Sequence, residues 1–341
     1  MRLSREKQEL LRKYILEHIE SNPRDVVRLT AGVFDLTRQA VINHMKLLSK
    51  EGLVLVDGRT RSTVYTLKEE RVMFSIPVNR DLKEDVIWTG KVAKVMPSLE
   101  KNIYDICYYG FTEMLNNVID HSGSDKAEIV VRYNAVNVKL MVMDFGVGIF
   151  AKIQKDFGLE SPKHAILELA KGKLTSDPER HTGEGIFFTS RVFDAFDILS
   201  QDLYFHGQKD NDWLLESKKN NNGTAVFMEI NRDSKRTLQG VFDEYSPMSA
   251  DYGFARTKVP VELMRHEGEE LVSRSQAKRL IMRFNKFKEV ILDFEGVKTI
   301  GQPFADEVFR VFRNQNPEVN LTWVNTSEEV EKMIRHVLRV S

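Results

Sequence analysis

Cysteine is almost missing from this chain: a single residue, Cys107, among 341. One thiol excludes an intramolecular disulfide and fits a reducing compartment. Net charge is missing too, because 50 Lys and Arg balance 50 Asp and Glu. Any nucleic-acid contact therefore has to come from a local patch rather than a global field. No uninterrupted apolar run reaches about 18 residues. The opening MRLSREKQELLRKY is charged where a secretory leader would be apolar. Secretion and membrane spanning are not expected; a cytoplasmic location is. His18 and His44 lack companion ligands at metal-binding spacing. What is present, 42% hydrophobic and 29% charged residues, suits ordinary globular folding and argues against disorder. The length predicts two or three domains.

In FTEMLNNVIDHS, Phe111 to Ser122, the residues Phe111, Met114, Leu115, Val118 and Ile119 recur at helical spacing. This predicts an amphipathic helix with one buried face, and Cys107 belongs to the same apolar side. Glu113, Asn117 and His121 follow at i, i+4 and i+8 along another side. A carboxylate, an amide and an imidazole so aligned can hold a hydrated cation and polarise a water; the alternative is a plain solvated face. Two later stretches bear on the choice. In KLMVMDFGVGIF, Lys139 to Phe150, an apolar strand ends in Asp144 and turns through Gly146 and Gly148. That carboxylate is placed to accept a hydrogen bond from an amino group. In RHTGEGIFF, Arg180 to Phe188, Gly183 and Gly185 precede a predicted helix start, whose backbone N–H groups suit phosphate oxygens.

Glu113-x-x-x-Asn117, Asp144-x-Gly146-x-Gly148, Gly183-x-Gly185 and Gly223-Thr224 occur in that order within residues 75–232. They resemble the successive boxes of the GHKL ATPases, the superfamily of gyrase, chaperone, histidine-kinase and mismatch-repair ATPases. The small bacterial anti-sigma-factor kinases also carry a His at the place of His121. The resemblance implies a Bergerat fold, an α/β sandwich with helices on one face of a mixed sheet, and a site for ATP and Mg²⁺. It implies that Asn117 coordinates Mg²⁺, that Asp144 binds the adenine amino group, and that Thr224 assists. Gly183 and Gly185 would face the phosphates, and Glu113 would orient or deprotonate the attacking group. His121, Gly146, Gly148, Thr182, Glu184 and Ile186 would complete the nucleotide's surroundings. Residues 151–181 correspond to the nucleotide lid. There Lys171, Lys173 and Arg180 are candidate phosphate contacts or, alternatively, parts of a basic solvated loop.

Residues 1–70 read as a separate unit: three helices, the first capped by Ser4, then strands Leu53–Val56 and Thr63–Leu67 around Asp57-Gly58. LTRQAVINHMKLLSKEGLV resembles the recognition helix and following strand of bacterial winged-helix regulators. Thr37, Arg38, Gln39, Asn43 and His44 are expected to point away from a core side held by Val41, Met45 and Leu48, suiting base edges in a DNA major groove. Arg59 and Arg61 at the wing tip suit phosphates or the minor groove. The unit holds 13 Lys/Arg against 10 Asp/Glu, only mildly basic; a winged helix used for protein contacts is the alternative. Residues 71–235 form the central unit. Its VMFSIPV reads as an edge strand, and a helix over Asp81–Val95 offers Val86, Ile87 and Trp88 to the sheet or to a second subunit.

Residues 236–341 alternate helix and strand: helices Ser275–Phe287, Gln302–Phe312 and Ser327–Val340, strands 290–294 and 321–325. This implies a small α/β layer with parallel pairing. VILDFEGVKTIGQPFADEVFRVF resembles the central strand, loop and helix of STAS-type domains, the anti-sigma-factor antagonists. That family phosphorylates a Ser in an Asp-Ser-x-Gly loop; here the stretch is Ile300-Gly301-Gln302-Pro303, without a hydroxyl. The module is therefore expected as a contact or sensing surface for a protein partner. Asp293 and Asp306 are expected to close local polar networks.

The fold expected is a multi-domain α+β chain: N-terminal winged helix, central Bergerat-fold α/β sandwich, small C-terminal STAS-like α/β domain. The function expected is a homodimeric, ATP-responsive transcriptional regulator with slow hydrolysis, Glu113 serving as base. The alternatives are a protein Ser/Thr kinase of the anti-sigma-factor type acting on a separate partner, and a stress or defence ATPase sensing nucleic acid. A histidine autokinase is disfavoured, since no long helix carries an exposed His beside a dimerisation heptad.

Overall fold

The computed structural model describes residues 4–59, 62–174, 183–208, 211–246, 254–264 and 270–339, with the backbone alone at 208 and 211–221. Helices Arg5–His18, Val26–Phe34 and Arg38–Lys50 precede an antiparallel pair, β1 (Val54–Asp57) and β2 (Val64–Leu67). The helix starts follow from their caps. Ser4 Oγ accepts from the Lys7 amide (3.3 Å) and Thr37 Oγ1 from the Ala40 amide (3.2 Å), each satisfying an N–H that the helix itself leaves open. Leu11, Ile15, Val26, Val41, Met45, Leu48 and Val54 close a core of their own, on which Ala135 and Val136 of the next unit pack.

The central sheet comprises β3 (Glu70–Pro77), β4 (Lys126–Tyr133), β5 (Asn137–Asp144), β6 (Ala195–Gln208) and β7 (Asn211–Asn231). Its order is β3-β4-β5-β7-β6 and every neighbouring pair is antiparallel. The expected mixed sheet is thus corrected. The chain leaves β5 through a helical segment and returns as β6, parallel to β5 but two places along. β7 then runs back between them, so no two parallel strands are neighbours.

The helix Lys101–Asn117 buries Ile103, Ile106, Cys107, Phe111, Met114 and Leu115 and packs on β5 and β7. Fully burying a side chain such as Phe111 contributes about 1.5–3 kcal/mol. The helix does not run on in α form to Ser122: Val118–Ser122 is a π turn, a wider coil common near functional sites. Trp88 packs on this helix rather than on a second subunit. Its ring meets Tyr104, Tyr108 and Phe111 at 5.4, 5.5 and 5.4 Å, and its Nε1 donates to Tyr104 Oη (2.8 Å). Val86 is exposed.

At the C-terminus β8 (Arg256–Pro260), β9 (Glu289–Asp293) and β10 (Asn320–Val324) lie in the order β10-β9-β8, parallel throughout. Helices Arg274–Ile281, 302–315 and Glu328–Arg339 accompany them. The parallel pairing follows from the alternation of strand and helix; β8 was not anticipated, because RTKVP looks too polar for a core strand. It is one nonetheless: Thr257 and Val259 are buried, while Arg256 and Lys258 reach across to Glu289 (2.6 Å) and Asp293 (2.8 Å). No helix among the described residues is long and apolar enough to cross a membrane.

Cys107 is fully buried, and burial pushes its thiol up to about 12 from the ordinary 9.0. The folded value exceeds the unfolded one, so this group's contribution to stability is lost as pH rises from 9 toward 12. Alkylation of Cys107 at mildly alkaline pH is expected to track denaturant unfolding; rapid labelling of folded protein would contradict this packing.

Candidate functional site

A cavity of about 320 Å³ opens between the Lys101–Asn117 helix, the end of β5, the helix Ile149–Phe157 and the start of the helix Gly185–Val192. Its size is that of small-molecule sites. Glu113, Asn117 and His121 line one side. Asp144, Gly148 and Thr224 line another, and Gly183, Gly185 and Ile186 a third. The polar stripe on the helix is therefore a cavity wall, with all three side chains half-buried. Burial of the apolar stripe on the sheet leaves them no other direction.

Asp144 is only 4% exposed. Its Oδ1 accepts from the Gly146 amide (2.8 Å), and the backbone and hydroxyl of Thr224 also reach the carboxylate. Burial raises its pKa, and those hydrogen bonds pull it back in part. Thr224 Oγ1 in turn accepts from the Ile149 amide (2.9 Å), fastening β7 to the start of the next helix. Gly146 serves through its amide and is not itself part of the wall.

Opposite, the chain passes so near the Lys101–Asn117 helix that a Cβ on Gly185 would stand 1.9 Å from Glu113 Oε2. A side chain there would push the Glu113 carboxylate out of its present place. The Glu113 carboxylate thus lies against the first turn of the helix Gly185–Val192, where open N–H groups and the helix dipole favour an anion. A phosphate oxygen would suit the same place. Glu184, at the N-cap, stands just outside the wall. Burial raises the pKa of Tyr109, and the charges of Glu113 and Glu184 raise it further.

Two expected phosphate contacts lie elsewhere. Lys171 is completely buried and paired with Glu168 (2.6 Å). Lys173 does not line the cavity: its Nζ donates to the Lys286 carbonyl (3.0 Å) and sits over the rings of Phe254 and Phe287 at 5.6 and 5.2 Å. A carbonyl and two aromatic faces offer its ammonium a partner that solvent-facing loop residues do not. Thr182 and Arg180 lie outside the described residues. Lys152 and Asp156, paired at 2.8 Å, also line the cavity and were missed. The signal was there: in IFAKIQKDF the apolar Ile149, Ile153 and Phe157 recur at i, i+4 and i+8, with Lys152 and Asp156 one position before the latter two.

Among the described residues, no group of three His, Cys, Asp or Glu side chains could hold a metal unaided. The donors facing the cavity suit Mg²⁺ only as a minority of its ligands, with phosphate and water supplying the rest, which is how that ion usually binds beside a nucleotide.

On the N-terminal unit, Arg38, Gln39, Asn43 and Arg59 are exposed, and Gln39 Nε2 donates to Asn43 Oδ1 (3.3 Å). Thr37 is occupied as a helix cap. His44 departs from expectation: it is half-buried on the flank of the Val41–Met45–Leu48 stripe. Burial and then the nearby Arg12 charge lower its pKa. Lys46 and Lys50 share the exposed face with Gln39 and Asn43, at seven and eleven residues from Gln39, and were overlooked. Arg61 lies outside the described residues.

A family described as a STAS-like domain of unknown function (DUF4325) matches residues 276–331. The C-terminal module is STAS-like. No curated protein matches the chain. Within the module, the Gly301 amide donates to the Leu271 carbonyl (2.8 Å), and Gln302 and Pro303 open the next helix, exposed. Asp293 accepts from the Glu295 amide (3.0 Å) and Asn325 Nδ2 (2.9 Å) beside Lys258, a closed local network. Asp306 is likewise engaged by Arg310 (2.8 Å).

Since burial raises the Asp144 pKa, its charged form opposes folding once the pH has passed the ordinary 3.8. Asp144→Asn is expected to leave the ligand-free Tm at neutral pH unchanged or higher. A fall of several degrees would show the carboxylate to be structural.

Proposed function

We propose that the central unit, residues 71–235, is a GHKL-type ATP-binding domain of Bergerat fold, flanked by a winged helix-turn-helix at 1–70 and the STAS-like module at 236–341. We infer that the chain couples nucleotide state to DNA binding as a homodimeric, cytoplasmic transcriptional regulator. One observation carries the reading: Glu113, Asn117 and His121 meet Asp144, Thr224 and the Gly183–Gly185 turn around a single cavity. Bound ATP with Mg²⁺ would supply an electrophilic terminal phosphoryl group. The Asp144 carboxylate would accept a hydrogen bond from the adenine amino group, and the Thr224 hydroxyl, which donates to that carboxylate, would orient it toward the base or accept from a bridging water. Asn117 offers its amide oxygen to Mg²⁺, with His121 one turn further on. The amides opening the helix Gly185–Val192 would hold a phosphate oxygen beside the Glu113 carboxylate, which would accept a proton from the attacking water.

Support for coupling comes from β5. Asp144 stands at one end of that strand, and beyond the other end Ala135 and Val136 pack on the N-terminal core. Arg38, Gln39, Asn43, Lys46 and Arg59, all exposed, have the chemistry that reads base edges and phosphates.

Calorimetry is expected to show ATP binding to the wild type. Asp144→Asn should weaken it about 10- to 100-fold, the size of a lost hydrogen bond to a charged group. Glu113→Gln should keep binding and lower turnover by about 10² to 10⁴. Absence of ATP binding by folded wild-type protein overturns the reading. Arg38→Ala and Arg59→Ala should weaken DNA binding in a gel-shift assay with and without ATP; unchanged affinity removes the DNA-binding half.

A further inference from the structure

Glu168 and Lys171 end the helix Pro162–Lys171 at 1% and 0% exposure, and neither serves the cavity chemistry. Their partners come from the STAS-like module. Lys171 Nζ donates to Glu168 Oε1 (2.6 Å) and to the carbonyls of Arg279 (3.2 Å) and Met282 (3.0 Å). Arg283 donates from one guanidinium nitrogen to Glu168 Oε2 (2.6 Å). From the other it donates to the carbonyls of Gly172 (2.8 Å) and Lys173. Thr257 Oγ1, also buried, donates to the Lys171 carbonyl (2.8 Å).

Resting on the ATP reading, we propose that Arg283 is a positioning residue for the nucleotide cavity, by which the STAS-like module sets the cavity wall. Leu174, directly after the two carbonyls that Arg283 holds, lines the cavity. Its amide donates to the carbonyl of Gly183 (3.0 Å), another lining residue. A guanidinium in the C-terminal module is therefore two hydrogen bonds and one residue away from the turn that faces the phosphates.

Two further features mark the contact as specified rather than incidental. Among the described residues only five non-glycine positions have positive φ, and two of them, Lys173 (51°) and Arg283 (67°), meet here. Such strain persists where surrounding contacts over-determine it. Between them Gly172 presses on Phe254 so closely that a Cβ would stand 2.6 Å from its ring. Buried charges add little net stability over apolar packing, but removing one partner strands the others without water. Such a cluster therefore holds one arrangement of the two modules and resists intermediate ones.

The test uses the full chain. Arg283→Ala is expected to lower ATP affinity about tenfold, a typical coupling between sites, and to speed hydrogen exchange at the Leu174 amide. Arg283→Lys keeps the charge but puts a single nitrogen on a shorter stem where two spread terminal nitrogens now hold Glu168 on one side and the carbonyls of Gly172 and Lys173 on the other, so it should show the same exchange with a smaller effect on folding. Lys332→Ala, which removes an exposed pair in the same module, should change neither. Faster exchange at Leu174 in folded Arg283→Lys supports the inference even if wild-type protein binds no ATP, an outcome that sinks only the nucleotide reading. Unchanged exchange at Leu174, with wild-type ATP affinity in either folded variant, overturns it.

Discussion

The helix Lys101–Asn117 has one apolar stripe and must bury it on β5 and β7. Ile103, Cys107, Phe111 and Met114 reach essentially zero exposure in doing so, and this single docking fixes the helix's rotation about its axis. Once it is fixed, Glu113 and Asn117 can face only the space beside the sheet. Asp144 arrives from the other side because β5 alternates its side chains and ends on a buried one. The cavity is thus a by-product of core packing, with polar groups placed where the two elements diverge.

The flanking units are joined to this centre by different chemistry. The STAS-like module shares one continuous apolar core with the central sheet and its helices, and adds the buried Glu168–Lys171–Arg283 cluster. The N-terminal unit keeps a separate core, touched by the short turn at Ala135 and Val136 and by exposed pairs such as Lys13 with Asp233. Exposed pairs are screened by salt and hold orientation weakly, whereas a buried cluster tolerates little change. The first junction therefore rests on buried contacts, and the second on a small apolar patch and exposed pairs.

Local pattern and chemistry specified much of this in advance. The cap at Ser4, the Asp57-Gly58 hairpin, the helical stripe from Phe111 and the strand-helix alternation of the C-terminal layer all depend on residues near one another in sequence, whereas Thr37, expected at base edges, proved to be a cap. The convergence of the widely spaced Glu113, Asp144, Gly185 and Thr224 on one cavity was legible only through the resemblance carried by the order of their motifs, not through any local pattern. Other features depended on partners far along the chain. The strand β8 was hidden because its charges are answered only across the sheet by Glu289 and Asp293. The neighbours of each strand in the central sheet were beyond any local pattern.

By itself the sequence determined most of the helices and strands, β8 excepted, and the apolar face of the helix that carries Glu113 and Asn117. Tertiary structure alone decided where Lys171 and Lys173 spend their polar atoms, and that His44 is half-buried. A lysine that looks like a phosphate ligand is claimed here by carbonyls more than 100 residues away, those of Arg279, Met282 and Lys286, and in Lys171 also by the carboxylate of Glu168 one helical turn back. Periodicity reports the local backbone, whereas the resting place of a long charged side chain is settled by whichever distant partner best replaces its lost water.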